Sequence, residues 1–266
     1  MVHLSVILIT RDESAHIRAC LDSVLWADEI VVVDAGSRDD TLAICHEYTD
    51  KIYVSEDWPG FGSQKNRALS YATGDWVLSV DADERVSPAL RQEIEQAVAS
   101  GRFVAYEIPR LSTYCGRILR HGGWWPDHVL RLFKREQGRF SNSRVHEKVM
   151  VRGAWGRLQE PLIHESFGSL EEVLDKVNRY SSEGARMLHE QGKQGGIWAA
   201  LSHGLWTFVK TYFLKAGLID GREGLMLAIS NAEGTYYRYL KLAYLNRQAG
   251  RQSNEEITDR IPASKP

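Results

Sequence analysis

Residues 76–84 read Trp-Val-Leu-Ser-Val-Asp-Ala-Asp-Glu. Five mostly apolar residues make a short buried strand, and the run breaks at once into carboxylates. The same arrangement recurs upstream. Leu4 to Ile9 (LSVILI) stops at Thr10-Arg-Asp-Glu13, and Ile30 to Val33 stops at Asp34-Ala-Gly-Ser37. Ile52 to Val54 supplies a further strand. Helical spacing fills the intervals: Ile17, Leu21, Val24 and Leu25 within Ser14 to Trp26, then Thr41 to Tyr48, then Ser63 to Tyr71. Ser14 is a candidate N-cap for the first helix, and Asp39 or Asp40 for the second. Strand and helix alternate four times, which predicts a parallel, doubly wound sheet over the first hundred residues. Ligands of such sheets lie beyond the carboxyl ends of the strands. Thr10 to Glu13, Asp34 to Ser37 and Asp81 to Asp83 are therefore expected to meet in one crevice.

After residue 101 the pattern changes. Phe103 to Ile108, Val129 to Phe133, Glu147 to Val151 and Leu162 to His164 are strand-like pieces between loops rich in Gly, Trp and Arg. They read as the mixed-sheet half of an α/β domain. From Ser169 the chain is helical, with Leu170, Val173, Leu174 and Val177 on one face, and Gln248 to Pro266 reads as a polar, unstructured tail. With 266 residues, 43% of them hydrophobic, the chain can bury a substantial core. Its formal charge of −2 hides an uneven distribution. Residues 1–101 carry 8 Lys/Arg against 18 Asp/Glu, and residues 102–152 carry 11 against 4. The acidic part suits a cation and the basic part an anionic substrate; two solvated faces would look the same. Cys20, Cys45 and Cys115 suggest neither a disulfide framework nor a zinc site, and no signal peptide precedes the first strand. A cytoplasmic setting fits both.

Asp81 and Asp83 stand at i and i+2 after a strand, where carboxylates offer hard oxygen ligands to a divalent cation bridging a diphosphate. Such a cation neutralises charge on a departing nucleoside diphosphate. Asp34 can accept hydrogen bonds from a base or ribose, beside the turn that Gly36 permits. Gly60-Phe-Gly-Ser-Gln-Lys65 lacks the spacing of a phosphate loop, although the helix start could still present N–H groups to an anion. Arg110, Arg117, Arg120, Arg131, Lys134 and Arg135, interleaved with Tyr114, Trp124 and Trp125, read as a basic aromatic surface. No nucleic-acid recognition fold accompanies them, so a sugar acceptor bearing carboxylates or phosphates fits better than nucleic acid. Ile197 to Leu218 is apolar and aromatic but interrupted by His203, Lys210 and Lys215. It is short for a membrane span, and suits an interfacial helix or one packed on protein.

The segments LSVILITRDE, VVVDAGSRDDT, GSQKNRAL and VLSVDADE resemble those of family 2 glycosyltransferases. GGWWPDHVLRLFKR and RVHEKV add a closer likeness to the bacterial lipopolysaccharide-core β-1,4-glucosyltransferase branch. The resemblance covers roughly residues 3–245. It implies the GT-A fold, a Rossmann-like, mostly parallel α/β sheet, with a C-terminal helical extension. Residues 1–100 would be the nucleotide-sugar-binding half, 101–168 the acceptor-binding half, 169–247 the extension and 248–266 the tail. It also implies an inverting, metal-dependent hexosyl transfer with Mg²⁺ or Mn²⁺, from a donor such as UDP-glucose. The acceptor would be an anionic glycolipid such as the lipopolysaccharide inner core, at the cytoplasmic face of the inner membrane.

Carried over by position, Thr10 and Glu13 would line the base pocket, Asp34 would hold the nucleoside, and Lys65 and Asn66 would help seat it. Asp81 would contact the ribose or the metal's water shell, and Asp83 would bind the metal. His164 is a candidate third ligand, ahead of His146 and His121. Inversion is a single displacement needing one general base. Glu147 is the first candidate and Asp127 the second; an ion pair to a neighbouring arginine is the structural alternative for either. The first loop departs from the family in reading Thr-Arg-Asp-Glu, where Asn often precedes the Glu. Two rival classes are a sugar-nucleotide nucleotidyltransferase, which usually carries a Gly-rich signature at the first strand, and a non-catalytic nucleotide-sugar-binding or scaffold protein.

Overall fold

A computed structural model describes residues 2–141 and 147–259. The chain divides into two compact units: residues 1–113 with 125–166, and residues 114–124 with 167–266.

The first unit follows the predicted alternation. β1 (Leu4–Thr10), α1 (Ile17–Val24), β2 (Glu29–Asp34), α2 (Thr41–Cys45), β3 (Ile52–Val54), α3 (Phe61–Tyr71) and β4 (Trp76–Ser79) come first. β5 (Glu84–Val86), α4 (Pro88–Ser100), β6 (Ala105–Tyr114), the two-residue β7 (Arg117–Ile118) and β8 (Asp127–Lys134) follow. β9 (Gly138–Phe140), β10 (Val149–Val151), β11 (Trp155–Arg157) and β12 (Leu162–Phe167) complete the strands. The main sheet runs β3-β2-β1-β4-β8-β6-β12-β5, and β9 and β10 form a separate antiparallel pair. β3, β2, β1 and β4 are parallel, whereas β8 is antiparallel to both β4 and β6. The order reverses between β1 and β4, and a crevice opens at the carboxyl ends beside such a reversal. This is the GT-A arrangement.

Side-chain alternation explains how the sheet is covered. In β1, Leu4, Val6 and Leu8 pack with Ile17, Leu21 and Val24 of α1 and with Leu90 and Ile94 of α4. Ile7, one residue out of phase, packs on the other face with Ala68 of α3 and with Ala72 just after it. Period-two strands buried on both faces need apolar residues at every position, which is why these strands read as unbroken apolar runs.

Several local expectations change. Ser14 does not cap α1; its N–H donates to Asp39 Oδ2 at 3.0 Å, and α1 begins after His16 with no side-chain cap. Asp39 rather than Asp40 accepts the Thr41 N–H. α4 and β5 occupy residues to which the sequence reading gives no element. α4 has a full set of end signals: Ser87 Oγ accepts the Leu90 N–H, Pro88 stands in the first turn, and Gly101 closes it at φ 58°.

The second unit is helical: α5 (Leu170–Glu190), α6 (Ile197–Val209), a wide π turn (Lys210–Leu214), a 3-10 turn (Gly217–Asp220) and α7 (Gly221–Asp259). Val173 is buried, but Leu170 and Leu174 are exposed, so the apolar stripe of α5 is narrower than its sequence suggests. Residues 114–124 are tied into this unit. Tyr114 and Leu119 pack with Val173 and Leu227, and the Asp220 carboxylate accepts the Arg120 and His121 N–H groups. α7 continues to Asp259, so residues 248–259 of the expected polar tail are helical. Polarity did not exclude helix there, because Gln, Arg and Glu are good helix formers.

Candidate active site

The loops after β1 and β2 are stitched together by their own polar groups. Asp12 N donates to Ser37 Oγ at 2.9 Å, Glu13 N to Thr41 Oγ1 at 2.8 Å, and Arg38 N to Asp12 Oδ1 at 2.7 Å. Asp34 anchors this weave. Its Oδ1 accepts the Gly36 and Ser37 N–H groups, and its Oδ2 accepts the Thr10 and Ser37 hydroxyls. Both Asp34 and Thr10 are buried. A carboxylate has about four acceptor sites, and these four donors fill them. Asp34 and Thr10, read as nucleoside contacts, therefore brace the loop in this structure.

Glu13 turns toward the β4 loop. Its carboxyl is pushed up to about 7 by burial, then by the charges of Asp83, Asp39 and Asp81, with His16 opposing. Asp83 lies beside His164 because β5, which begins at the next residue, pairs antiparallel with β12. Glu165 N donates to Asp83 O at 2.9 Å, and His164 Nε2 lies 3.2 Å from Asp83 Oδ2. The other imidazole nitrogen, Nδ1, is 2.9 Å from Ser112 Oγ on β6. A histidine held by one nitrogen with the other beside a carboxylate is the arrangement that orients a metal ligand. Among the described residues there is no group of three His, Cys, Asp or Glu side chains that could hold a metal ion. Asp83 and His164 form a pair of potential donors side by side.

The Glu13 carboxyl carries a stability consequence. Its folded-state pKa lies above its ordinary value of 4.5, so the folded chain holds the proton more tightly than the unfolded chain. Stability from this group is complete below pH 4.5 and is lost as pH rises toward about 7. Without added cation, Glu13→Gln is expected to gain stability over wild type progressively across that interval and to level off above it. Denaturant melts of both proteins at pH 4.5, 6 and 8 check this; a constant difference would remove the burial argument.

Across the β4 loop, Asp81 faces a cleft of about 760 Å³. Lys65 Nζ is 2.9 Å from both Asp81 Oδ1 and Glu147 Oε1. Arg131 bonds Asp81 Oδ2 and, at 2.6 Å, Glu84 Oε1. Lys65, Arg131 and Glu84 are all buried. Burial alone would raise the Asp81 carboxyl, but the charges of Arg131 and Lys65 outweigh it and hold it well below the ordinary range. Asp81 is therefore paired with two cations of the chain itself. Glu147 and Asp127 line the same cleft. Glu147 is largely buried against Lys65, whereas Asp127 is 41% exposed and accepts Arg110 Nε at 3.0 Å and NH2 at 2.5 Å. Asp127 thus has the arginine ion pair foreseen as its alternative, whereas the partner of Glu147 is a lysine from α3.

The approach of α3 to this cleft depends on Gly62. A Cβ there would lie 1.9 Å from Ser141 O and 3.4 Å from Glu147 Cβ. Backbone cannot yield as a side-chain tip can, so Gly62→Ala is expected to cost roughly 1–3 kcal/mol of stability, in the range of overpacked cores. It should also loosen Lys65 from Glu147. A thermal melt unchanged from wild type would contradict this.

Other expectations are redistributed. The Asn66 amide donates to Phe140 O and accepts the Phe140 N–H, both at 2.9 Å, fastening α3 to β9. His121 binds Asp220 in the helical unit, and His146 lies outside the described residues. The basic aromatic surface does not exist as one patch. Tyr114 is buried, Arg117 pairs with Glu223, Arg135 donates to Gly74 O, and Arg131 is the buried hub just described. The sequence reading missed both Arg131 and Glu84 as site residues. An arginine inside the apolar run Val129 to Phe133 was the available signal, because buried arginine is retained only against acids.

Residues 5–162 match the family model described as Glycosyl transferase family 2. The chain is 32% identical over 273 residues to an uncharacterized glycosyltransferase of Rickettsia felis, covering 96% of this chain and 93% of that protein. It is 30% identical over 270 residues to the lipopolysaccharide core biosynthesis glycosyltransferase LpsC of Rhizobium meliloti, covering 97% of each. Among solved structures it is similar to S. aureus TarS 1–349, with 17% identity, a TM-score of 0.47 and coverage of 93% and 92%. The acid-tipped strands, the length of the family match and the full-length relatives agree: the chain belongs to glycosyl transferase family 2.

Proposed function

We propose that this glycosyltransferase moves a hexose, with inversion, from a UDP-glucose type donor to an anionic glycolipid acceptor such as the lipopolysaccharide inner core. The observation that carries the reading is the cleft in which Asp81, locked by Lys65 and Arg131, shares one space with Glu147 and Asp127. A displacement needs donor and base on either side of one carbon, and this cleft supplies base candidates beside the donor loop. Residues 1–100 act as the donor half and 101–168 as the acceptor half, although 114–124 belong to the helical unit.

In this reading Glu147 accepts the proton of the acceptor hydroxyl. Lys65 holds that carboxylate in place and fixes its distance from Asp81. Arg110 and Lys148 give the cleft a cationic wall that favours a phosphate- or carboxylate-bearing acceptor, and Trp155, 54% exposed, offers a face for a sugar ring. Asp83 and His164 would hold a divalent cation. Their separation of 3.2 Å suits two ligands of one ion, and the carboxylate–imidazole pair fits Mn²⁺ better than Mg²⁺. Once bound, that ion acts as a Lewis acid on the departing diphosphate. The negative charge gathered around Glu13 gives an independent reason for a cation there. The similarity to LpsC, a lipopolysaccharide core biosynthesis glycosyltransferase, and the basic wall together support the lipopolysaccharide core, and with it work at the cytoplasmic face of the inner membrane.

Family membership disfavours the nucleotidyltransferase and scaffold alternatives. The test is a donor screen read by mass spectrometry, with purified core lipopolysaccharide as acceptor. A mass gain of one hexose from UDP-glucose supports the proposal. Transfer from another donor corrects the sugar, and no transfer from any donor to this acceptor rejects the acceptor class.

A further inference from the structure

The helical unit displays an apolar surface that nothing in the cleft's chemistry uses. On α6, Trp198, Leu201 and Leu205 follow one another at i, i+3 and i+7, with Trp206 beside them, and all four are exposed. Trp198 is 80% exposed and Leu205 67%. The opposite side of α6 is committed: Ala200 and Gly204 are buried, and a Cβ on Gly204 would lie 3.3 Å from Ala232 O of α7. The surface continues through the π and 3-10 turns with exposed Phe213, Leu214, Leu218 and Ile219. It runs on to Leu225 and Ile229 at the start of α7.

Its charges have one sign. From Ile197 to Ile219 the chain has no Asp or Glu, only Lys210 and Lys215, both exposed. Exposed Arg222 follows. The nearest acids, Asp220 and Glu223, are buried and already paired with His121 and with Arg117 and Arg222. No helix among the described residues is long and apolar enough to cross a membrane. At 13 residues α6 is about 20 Å long, short of a hydrocarbon core roughly 30 Å thick.

We infer that this face of α6, its following turns and the start of α7 is a docking surface for an anionic lipid bilayer, with the helix lying in the interfacial plane. Tryptophan and leucine enter the acyl boundary while lysine meets the headgroups, the combination that holds interfacial helices. Charge decides against a second copy of the chain. A two-fold contact would set each patch on its own image, bringing cations against cations with no exposed acid to answer them. An anionic surface answers them all. The inference rests on exposure and charge in the helical unit and does not depend on the reaction proposed above.

The experiment is vesicle flotation of the full chain with phosphatidylglycerol-containing vesicles and with pure phosphatidylcholine. Binding should be confined to the anionic vesicles and weaken with salt. Trp198→Ser combined with Leu205→Ser is expected to lower partitioning at least about tenfold, and Lys210→Glu with Lys215→Glu by a similar factor on anionic vesicles only. These side chains are exposed, so circular dichroism and melting temperature should stay at wild-type values. Equal binding to both lipids, or undiminished binding by the folded variants, would overturn the inference. So would a lipid-free dimer in sedimentation velocity that the serine pair dissociates, which would assign the face to a second copy.

Discussion

Replacing Glu147 with glutamine is expected to leave donor affinity within about twofold and lower turnover by roughly 10²–10⁴, the range for loss of a general base. The separation of the two effects follows from the geometry. Lys65 Nζ bridges Asp81 Oδ1 and Glu147 Oε1, each at 2.9 Å. Glutamine keeps an acceptor oxygen for that ammonium, and Asp81 still balances its charge, so the donor side of the cleft is held as before. Only the capacity to take a proton is lost. Asp127→Asn is the matched control, because Asp127 lines the same cleft but answers to Arg110. If Glu147 is the base, Asp127→Asn should cost less than about tenfold. Steady-state kinetics alongside calorimetric donor titration checks both. Full turnover by Glu147→Gln would remove it as the base, and a collapse confined to Asp127→Asn would transfer the role.

The first hundred residues were legible because their strands are buried on both faces and end in carboxylates. No other common element puts Val-Leu-Ser-Val directly before Asp-Ala-Asp, so β4 and its loop could be placed from spacing alone. The helix that follows was equally readable from Ser87, Pro88 and Gly101, whose capping signals went unused. What sequence could not supply was the direction in which a polar side chain turns. Asp34, Thr10 and Asn66 look like ligand contacts because they are polar and adjoin strand ends or a helix start. Asp34 accepts from Gly36, Ser37 and Thr10, and Asn66 bonds Phe140, pairings that polarity alone did not indicate. Arg131 presents the reverse case. Read as surface charge, it is buried, because two acids from the β4 loop, Asp81 and Glu84, meet it inside the sheet. Pairings between residues 47 to 50 positions apart are set by strand order, and strand order beyond β4 was not readable.

Asp83→Ala should have the larger effect on donor engagement. If Asp83 and His164 hold the cation that steadies the diphosphate, losing the carboxylate removes several kcal/mol of stabilisation, about 10³-fold in rate for each 4 kcal/mol. Nucleotide affinity measured with Mn²⁺ should then fall to the value measured in chelator, while affinity in chelator stays unchanged. The fold should tolerate the change. Asp83 is partly exposed, and its removal takes away a charge that raises the Glu13 carboxyl, so the metal-free variant is expected to be no less stable than wild type near pH 7. A graded companion is Ser112→Ala. That hydroxyl lies 2.9 Å from His164 Nδ1. Losing the contact should weaken Mn²⁺ affinity by about 10–100-fold, as outer-shell changes do, with saturating Mn²⁺ restoring turnover. A purely structural role for Ser112 would lower stability without that rescue. Metal-independent transfer by wild type, or Mn²⁺-dependent nucleotide binding surviving in Asp83→Ala, would place the cation elsewhere and leave Asp83 and His164 as an ion pair between β12 and the β4 loop.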